Sequence, residues 1–194
     1  EYGVERSQFA VIMYRFAGGT PTAEDAEFSD LAGDEWYYEY VEWMVGKGLM
    51  GGNGGAFDPS GFLSCEQAII VLYRLAGEPT VSGTLDDYPY APKVSESGRD
   101  AVTWAWNNGL ITEKECVWYP TQAISRAQFV TILAGIYGVN TSSGVPFSDV
   151  GRGWFYDAVA TAYANGWVSG FTDGTFRPNQ TITRAEAVSI LNRV

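Results

Sequence analysis

The 194-residue chain is 46% hydrophobic and only 18% charged, enough apolar material to bury a sizeable core, which excludes disorder as its main state. Its 23 acidic and 12 basic residues leave a net charge of −11, which argues against nucleic acid or an anionic membrane surface as principal partner, since both select cationic protein surface. Histidine is absent, so a histidine-based triad, a histidine-ligated zinc and a histidine pH switch are all removed. The two cysteines, Cys65 and Cys116, are too few for a disulfide scaffold or a four-cysteine metal site. No apolar run approaches the roughly 18 residues a bilayer requires, so membrane insertion is not expected. The start at Glu1, without Met or an apolar leader, reads as a mature or excised piece.

Taken in chain order, the sequence repeats itself. Val4-Glu-Arg-Ser-Gln8 opens a helical run with apolar residues at Phe9, Ile12, Met13 and Phe16, one face of a 3.6-residue period. Phe28-Ser-Asp-Leu and Trp36 then precede a shorter predicted helix from Trp36 to Lys47. A Gly/Pro-punctuated loop follows with Phe57-Asp-Pro59, then Leu63-Ser-Cys-Glu-Gln67 and a second long helix carrying Ala68, Val71, Leu72 and Leu75. The linker from Glu78 to Val94 is the longest, and predicts an irregular start to the next copy. That copy has a short helix from Gly98 to Asn108, Trp118-Tyr-Pro120, Ile124-Ser-Arg-Ala-Gln128, and Phe129, Ile132, Leu133 and Ile136.

The last copy is the clearest: Phe147-Ser-Asp-Val, Trp154, a short helix to Asn165, Gly166-Trp-Val-Ser-Gly170, Asp173-Gly-Thr-Phe176-Arg-Pro178 and Ile182-Thr-Arg-Ala-Glu186. Ala187, Ile190, Leu191 and Val194 share the phase of the other three long helices. Glycines Gly18, Gly77 and Gly138 stand just past the first three, where helices stop. The expected organisation is one domain over 1–194: a partial repeat in 1–19, then repeats over 20–79, 80–139 and 140–194.

These motifs resemble S-layer homology repeats, most closely in residues 147–194, well in 28–77 and weakly at the start of the middle copy. The resemblance implies a mainly α fold, a pseudo-threefold assembly of three two-helix repeats with Gly/Pro-rich loops and an extra N-terminal helix. It also implies non-covalent anchoring to a Gram-positive-type cell surface, outside the cell, as part of a larger surface protein. The implied ligand is secondary cell wall polysaccharide, often bearing a pyruvate ketal, with no cofactor or metal.

Ser64 with Gln67, Ser125 with Gln128 and Thr183 with Glu186 have the spacing of capping boxes. Arginine at the first helical position, at Arg6, Arg126 and Arg184, opposes the helix dipole by about 0.3–1 kcal/mol. It is explained by an acidic ligand drawn to free N–H groups at the helix end, or by an acidic side chain across from it. Trp36 and Trp154 are either core residues or platforms for a sugar ring. Gly170 and Asp173 form a turn that lets the backbone approach a ligand, and Thr183 adjoins Arg184; turn and capping chemistry are the plain alternatives.

Asp30 and Asp149 are expected to cap the short helices. Pairing each arginine with the next tryptophan gives Arg6 with Trp36 and Arg126 with Trp154 as competent grooves, and Cys65 with Ser97 as a dead one. A disulfide between Cys65 and Cys116 is possible at an oxidising surface, with two thiols as the alternative.

Two other classes compete with the anchor. One is a structural or protein–protein interaction module with no glycan. The other is a glycosidase using Asp149 and Asp173, which is disfavoured because these acids recur in turn and cap positions.

Overall fold

A computed structural model describes residues 3–22, 26–111, 118–138 and 144–194. Among these described residues are seven α-helices: α1 (Arg6–Phe16), α2 (Tyr38–Gly46), α3 (Cys65–Leu75), α4 (Arg99–Asn107), α5 (Arg126–Tyr137), α6 (Tyr156–Ala164) and α7 (Arg184–Leu191). The fold is mainly α, and among the described residues extended chain occurs only as isolated bridges. The irregular start of the middle repeat is two 3₁₀ turns, Ala91–Lys93 and Glu96–Gly98.

Local chemistry sets the helix starts. The N-cap oxygens of Ser64, Ser125 and Thr183 accept from the N–H three residues on, at 3.2, 3.3 and 3.4 Å. Gln67, Gln128 and Glu186 reach back to the N-cap N–H at 3.0, 2.8 and 2.8 Å, closing each box. In α1 the same return bond runs from the Glu5 N–H to Gln8 at 3.4 Å. At the other end, Gly77 turns the chain out of α3 at φ +82, a conformation disfavoured for residues with a Cβ.

The helices pair across the boundaries of the sequence repeats. Each long helix packs on the short helix that follows it, giving α1 with α2, α3 with α4 and α5 with α6. Aromatic side chains line these seams: Tyr14 meets Tyr40 at 5.0 Å and Trp43 at 5.4 Å, and Tyr73 meets Trp104 at 5.4 Å between ring centres. Phe9 and Phe129 meet edge to face between α1 and α5. Phe57, Trp118 and Phe176, from equivalent loops, are all buried, each contributing about 1.5–3 kcal/mol by the usual transfer scale.

Four main-chain hydrogen bonds close a ring at the N-terminal ends of the long helices. Val4 donates to Ile182 at 3.0 Å, Ile182 to Ile124 at 3.0 Å, Ile124 to Leu63 at 3.2 Å and Leu63 back to Val4 at 2.9 Å. These residues each stand one place before a helix N-cap. The three helix pairs therefore repeat, and α7 takes a fourth equivalent place in the ring. What distinguishes α7 is that, among the described residues, no following short helix packs on it.

Candidate functional site

The N-terminal ends of α1, α3 and α5 are each covered by a loop from the next repeat. Arg6 and Ser7 donate their main-chain N–H groups to Gly61 and Pro59, at 2.9 and 3.0 Å. Cys65 and Glu66 donate to Gln122 and Pro120 at 2.8 and 3.0 Å, and Arg126 and Ala127 to Gln180 and Pro178 at 2.9 and 3.0 Å. The expected free N–H groups for an anion are thus already used at these three ends. The recurring prolines lie where their carbonyls satisfy a helix end, a need the bare spacing does not reveal.

The arginines serve the same loops. Arg6 is buried, donating from Nε to the Phe57 carbonyl at 2.8 Å and from Nη2 to Gly51 at 2.7 Å, with its guanidinium 4.6 Å over the Phe57 ring. Arg126 repeats this at the Phe176 carbonyl, 2.9 Å, and pairs with Glu186 at 3.1 Å. Burial lowers the pKa of both, yet a guanidinium remains charged. Where Cys65 replaces the arginine, the Tyr88 hydroxyl supplies the donor, to the carbonyl of Trp118. Cys65 is buried and its thiol points to Gln128 at 3.3 Å; Cys116, and with it the disulfide reading, lies outside the described residues.

Asp30 and Asp149 do not cap the short helices. Asp30 accepts from the N–H groups of Phe57 and Asp58 at 2.8 and 2.7 Å, and Asp149 from Phe176 and Arg177 at 2.7 Å each. Each carboxylate clamps the arginine-accepting loop of its own repeat. At Asp30 these main-chain donors outweigh desolvation and hold the pKa below the ordinary value. Gly170 adopts φ +70, and a Cβ there would run into the Phe147 ring. Asp173 accepts from the Thr175 hydroxyl at 2.6 Å and pairs with Arg177 at 3.0 Å on the surface. Thr183 is the N-cap of α7.

The expected arginine–tryptophan pairing is displaced by one step around the ring. Trp36, 59% exposed, lies under the guanidinium of exposed Arg184 at 5.6 Å. Trp154 is half-buried and packs on Trp118 at 5.3 Å, in the loop over the N-terminus of α3. Arg6 shares its groove with Ser97. The displacement follows from the helix pairing: each short helix begins beside the ring neighbour of the long helix it packs on.

That groove, about 580 Å³, runs from Arg6 and the 49–58 loop to the start of α4. Gln67, Arg74 and Lys93 line it, together with Asp58 and Glu66. Glu66 is buried and spoken for, accepting the N–H and hydroxyl of Ser95. Sequence reasoning passed over Gln67, Arg74 and Lys93 as groove residues, because only the ring brings them opposite Arg6.

The S-layer homology domain model matches residues 27–69 and 146–188, which identifies these two segments as S-layer homology repeats. It is 26% identical to a cellulosome-anchoring protein of Acetivibrio thermocellus, over 75% of this chain and 34% of that protein. It is 34% identical to the surface-layer 125 kDa protein of Lysinibacillus sphaericus, over 51% of this chain and 9% of that one. An S-layer protein of Bacillus licheniformis is 23% identical over 87% of this chain and 20% of its own length. The chain thus spans about a third or less of each of these relatives.

Proposed function

We propose that this chain is a non-catalytic module that anchors a larger protein to the cell surface by holding an acidic secondary cell wall polysaccharide. The observation that carries the reading is the groove between neighbouring ring members, with the buried cation Arg6 at its wall. In a domain of net charge −11, long-range attraction to an acidic polymer is unavailable, so binding rests on such local cationic contacts. A carboxylate-bearing sugar, of which a pyruvate ketal is one form, fits that chemistry. The exposed pair Arg184 and Trp36 is a second contact place, with the indole face for a sugar ring and the guanidinium for its acid group. Arg126, Trp154, Gly170, Asp173 and Thr183 then support the neighbouring loops that shape these surfaces.

The relatives' names, an anchoring protein and surface-layer proteins, are consistent with anchoring. Co-sedimentation with purified Gram-positive cell walls, before and after acid removal of the non-peptidoglycan polymer, tests it. Binding that is lost on stripping is the expected result. Equal binding, or none, on both preparations overturns it in favour of a protein-interaction module.

A further inference from the structure

We infer that the outward face of α7, together with Trp36, is the seat of one further half-repeat: a short helix and an aromatic-x-Pro loop joined directly to Glu1. The inference rests on the anchoring reading only in taking the chain as part of a larger protein; the site itself is argued from the ring.

Three of the four ring positions show what such a half-repeat does. Pro59, Pro120 and Pro178 stand five places before the N-caps Ser64, Ser125 and Thr183. Their carbonyls accept the N–H of the second helical residue in the preceding ring member, from Ser7, Glu66 and Ala127. Two places before each proline stands a buried aromatic, Phe57, Trp118 or Phe176. The bond from Val4 to Ile182 puts the fourth position in the same register. Counted back from the N-cap Glu5, the proline place is the residue immediately before Glu1, and the aromatic place is two residues before that. The covering loop for α7 therefore belongs to sequence that runs into Glu1. The short helices α2, α4 and α6 start 26 or 27 residues before the next N-cap, so a segment of about 25 residues carries the whole half-repeat.

The α7 face differs from its three counterparts in the way this predicts. Arg6, Cys65 and Arg126 are buried at the first helical place, and Ser7, Glu66 and Ala127 at the second. Arg184 and Ala185 are exposed, and among the described residues their N–H groups meet no main-chain carbonyl. At the fifth place Ala10, Ile69 and Val130 are at most 2% exposed, whereas Val188 is only partly covered.

Trp36 gives the same answer from the other side. Its counterpart Trp154 packs on Trp118, the aromatic of the loop before α5. The matching aromatic for Trp36 is the one ahead of Glu1, and Trp36 stands largely in solvent. One segment, docked as its three counterparts are, satisfies both N–H groups, offers a carbonyl to Arg184 and shelters Ala185, Val188 and an edge of Trp36. The interface that joins the other ring members thus continues onto α7. Asn192 takes the place of Tyr14, Tyr73 and Ala134 and is exposed, so the contact concentrates on the N-terminal half of the helix. Trp36 ends half-buried, as Trp154 is, with surface left for a ligand.

The test places a copy of residues 152–178, the last short helix and its loop, directly before Glu1 of the whole chain, which sets the copied proline in the required register. Amide hydrogen exchange is followed residue by residue with and without the graft. The Arg184 and Ala185 amides are expected to exchange at least about tenfold more slowly in the grafted chain, and the Trp36 indole N–H resonance to shift. No gain at either amide overturns the inference, whether the remaining amides keep their protection or lose it. Phe176→Ser within the copied segment alone keeps its helix and proline and should abolish the Trp36 shift; an equal shift overturns the aromatic contact. Protection of these amides that grows with concentration in the ungrafted chain assigns the face to a second copy and overturns the inference as well. A grafted chain that gains protection yet sediments with no cell walls keeps the half-repeat and loses the anchoring reading alone.

Discussion

Tyr88 donates its hydroxyl to the carbonyl of Trp118, the position that Arg6 and Arg126 fill with a guanidinium at Phe57 and Phe176. The repeat over 20–79 has Cys65 where the others begin their long helix with arginine, and the bond is recovered from the irregular linker that follows it. Tyr88→Phe leaves the carbonyl of a buried residue unpaired and should cost about 1–3 kcal/mol in urea unfolding. Burial also pushes the phenol above its ordinary value of 10.0. The folded pKa exceeds the unfolded one, so this contribution is complete below about pH 10 and is lost as pH rises through the folded value. The alkaline limb of wild-type stability should accordingly be steeper than that of Tyr88→Phe. Parallel limbs would remove Tyr88 from the account.

Arg126 and Glu186 form a pair in which both side chains are largely shielded, 6% and 14% exposed. Arg126→Ala strands the carboxylate and empties the donor at Phe176, and should destabilise by about 3–5 kcal/mol. Arg184→Ala, at an exposed position, should fall within about 0.5 kcal/mol of wild type. Similar thermal unfolding of the two variants would contradict the assignment of Arg126 to the scaffold.

Trp36 has most of its ring in solvent and sits at the start of a short helix. Trp36→Ala should leave the melting temperature nearly unchanged and still weaken sedimentation with unstripped walls. A variant that binds walls as wild type does would withdraw Trp36 from the ligand surface.

Asp173 is held down at about 2, first by the Thr175 hydroxyl and then by Arg177. Carboxyl-carbon NMR should find it titrating there, with Thr175→Val moving it up toward the ordinary carboxylate value. Its lowered folded pKa adds stability only above the unfolded value, and that is lost as pH falls toward 2. An Asp173 that titrates normally in the wild-type chain would refute the described turn.

Gly170 requires its positive φ and a clear approach to Phe147. Gly170→Ala should destabilise by about 1–3 kcal/mol through both strain and contact. A neutral effect on thermal unfolding would show that the turn can relax.

Local patterns were legible in the chain itself. The shared phase of four long helices and three of the capping boxes depend on neighbours three or four residues apart, and these are present in the structure. Relations across the ring were not. Asp30 finds its donors 27 and 28 residues away, where nothing in Phe28-Ser-Asp-Leu points. The grooves were misregistered because sequence repeats suggest that each copy folds on itself, whereas each long helix adopts the short helix of the following copy. Gln67 read as a capping residue, and it is one.

The bond from Val4 to Ile182 joins neighbours in space that lie nearly the whole described chain apart. A solenoid of repeats has two open ends and can lengthen by one unit at a time, melting from those ends inward. A closed circuit has no end from which to fray, and a fifth long helix could enter only by severing a link. The number of members is therefore a property of the assembly and not of the repeat. Tension drawn along the chain between its first and last long helices would load that single seam before any helix unwinds.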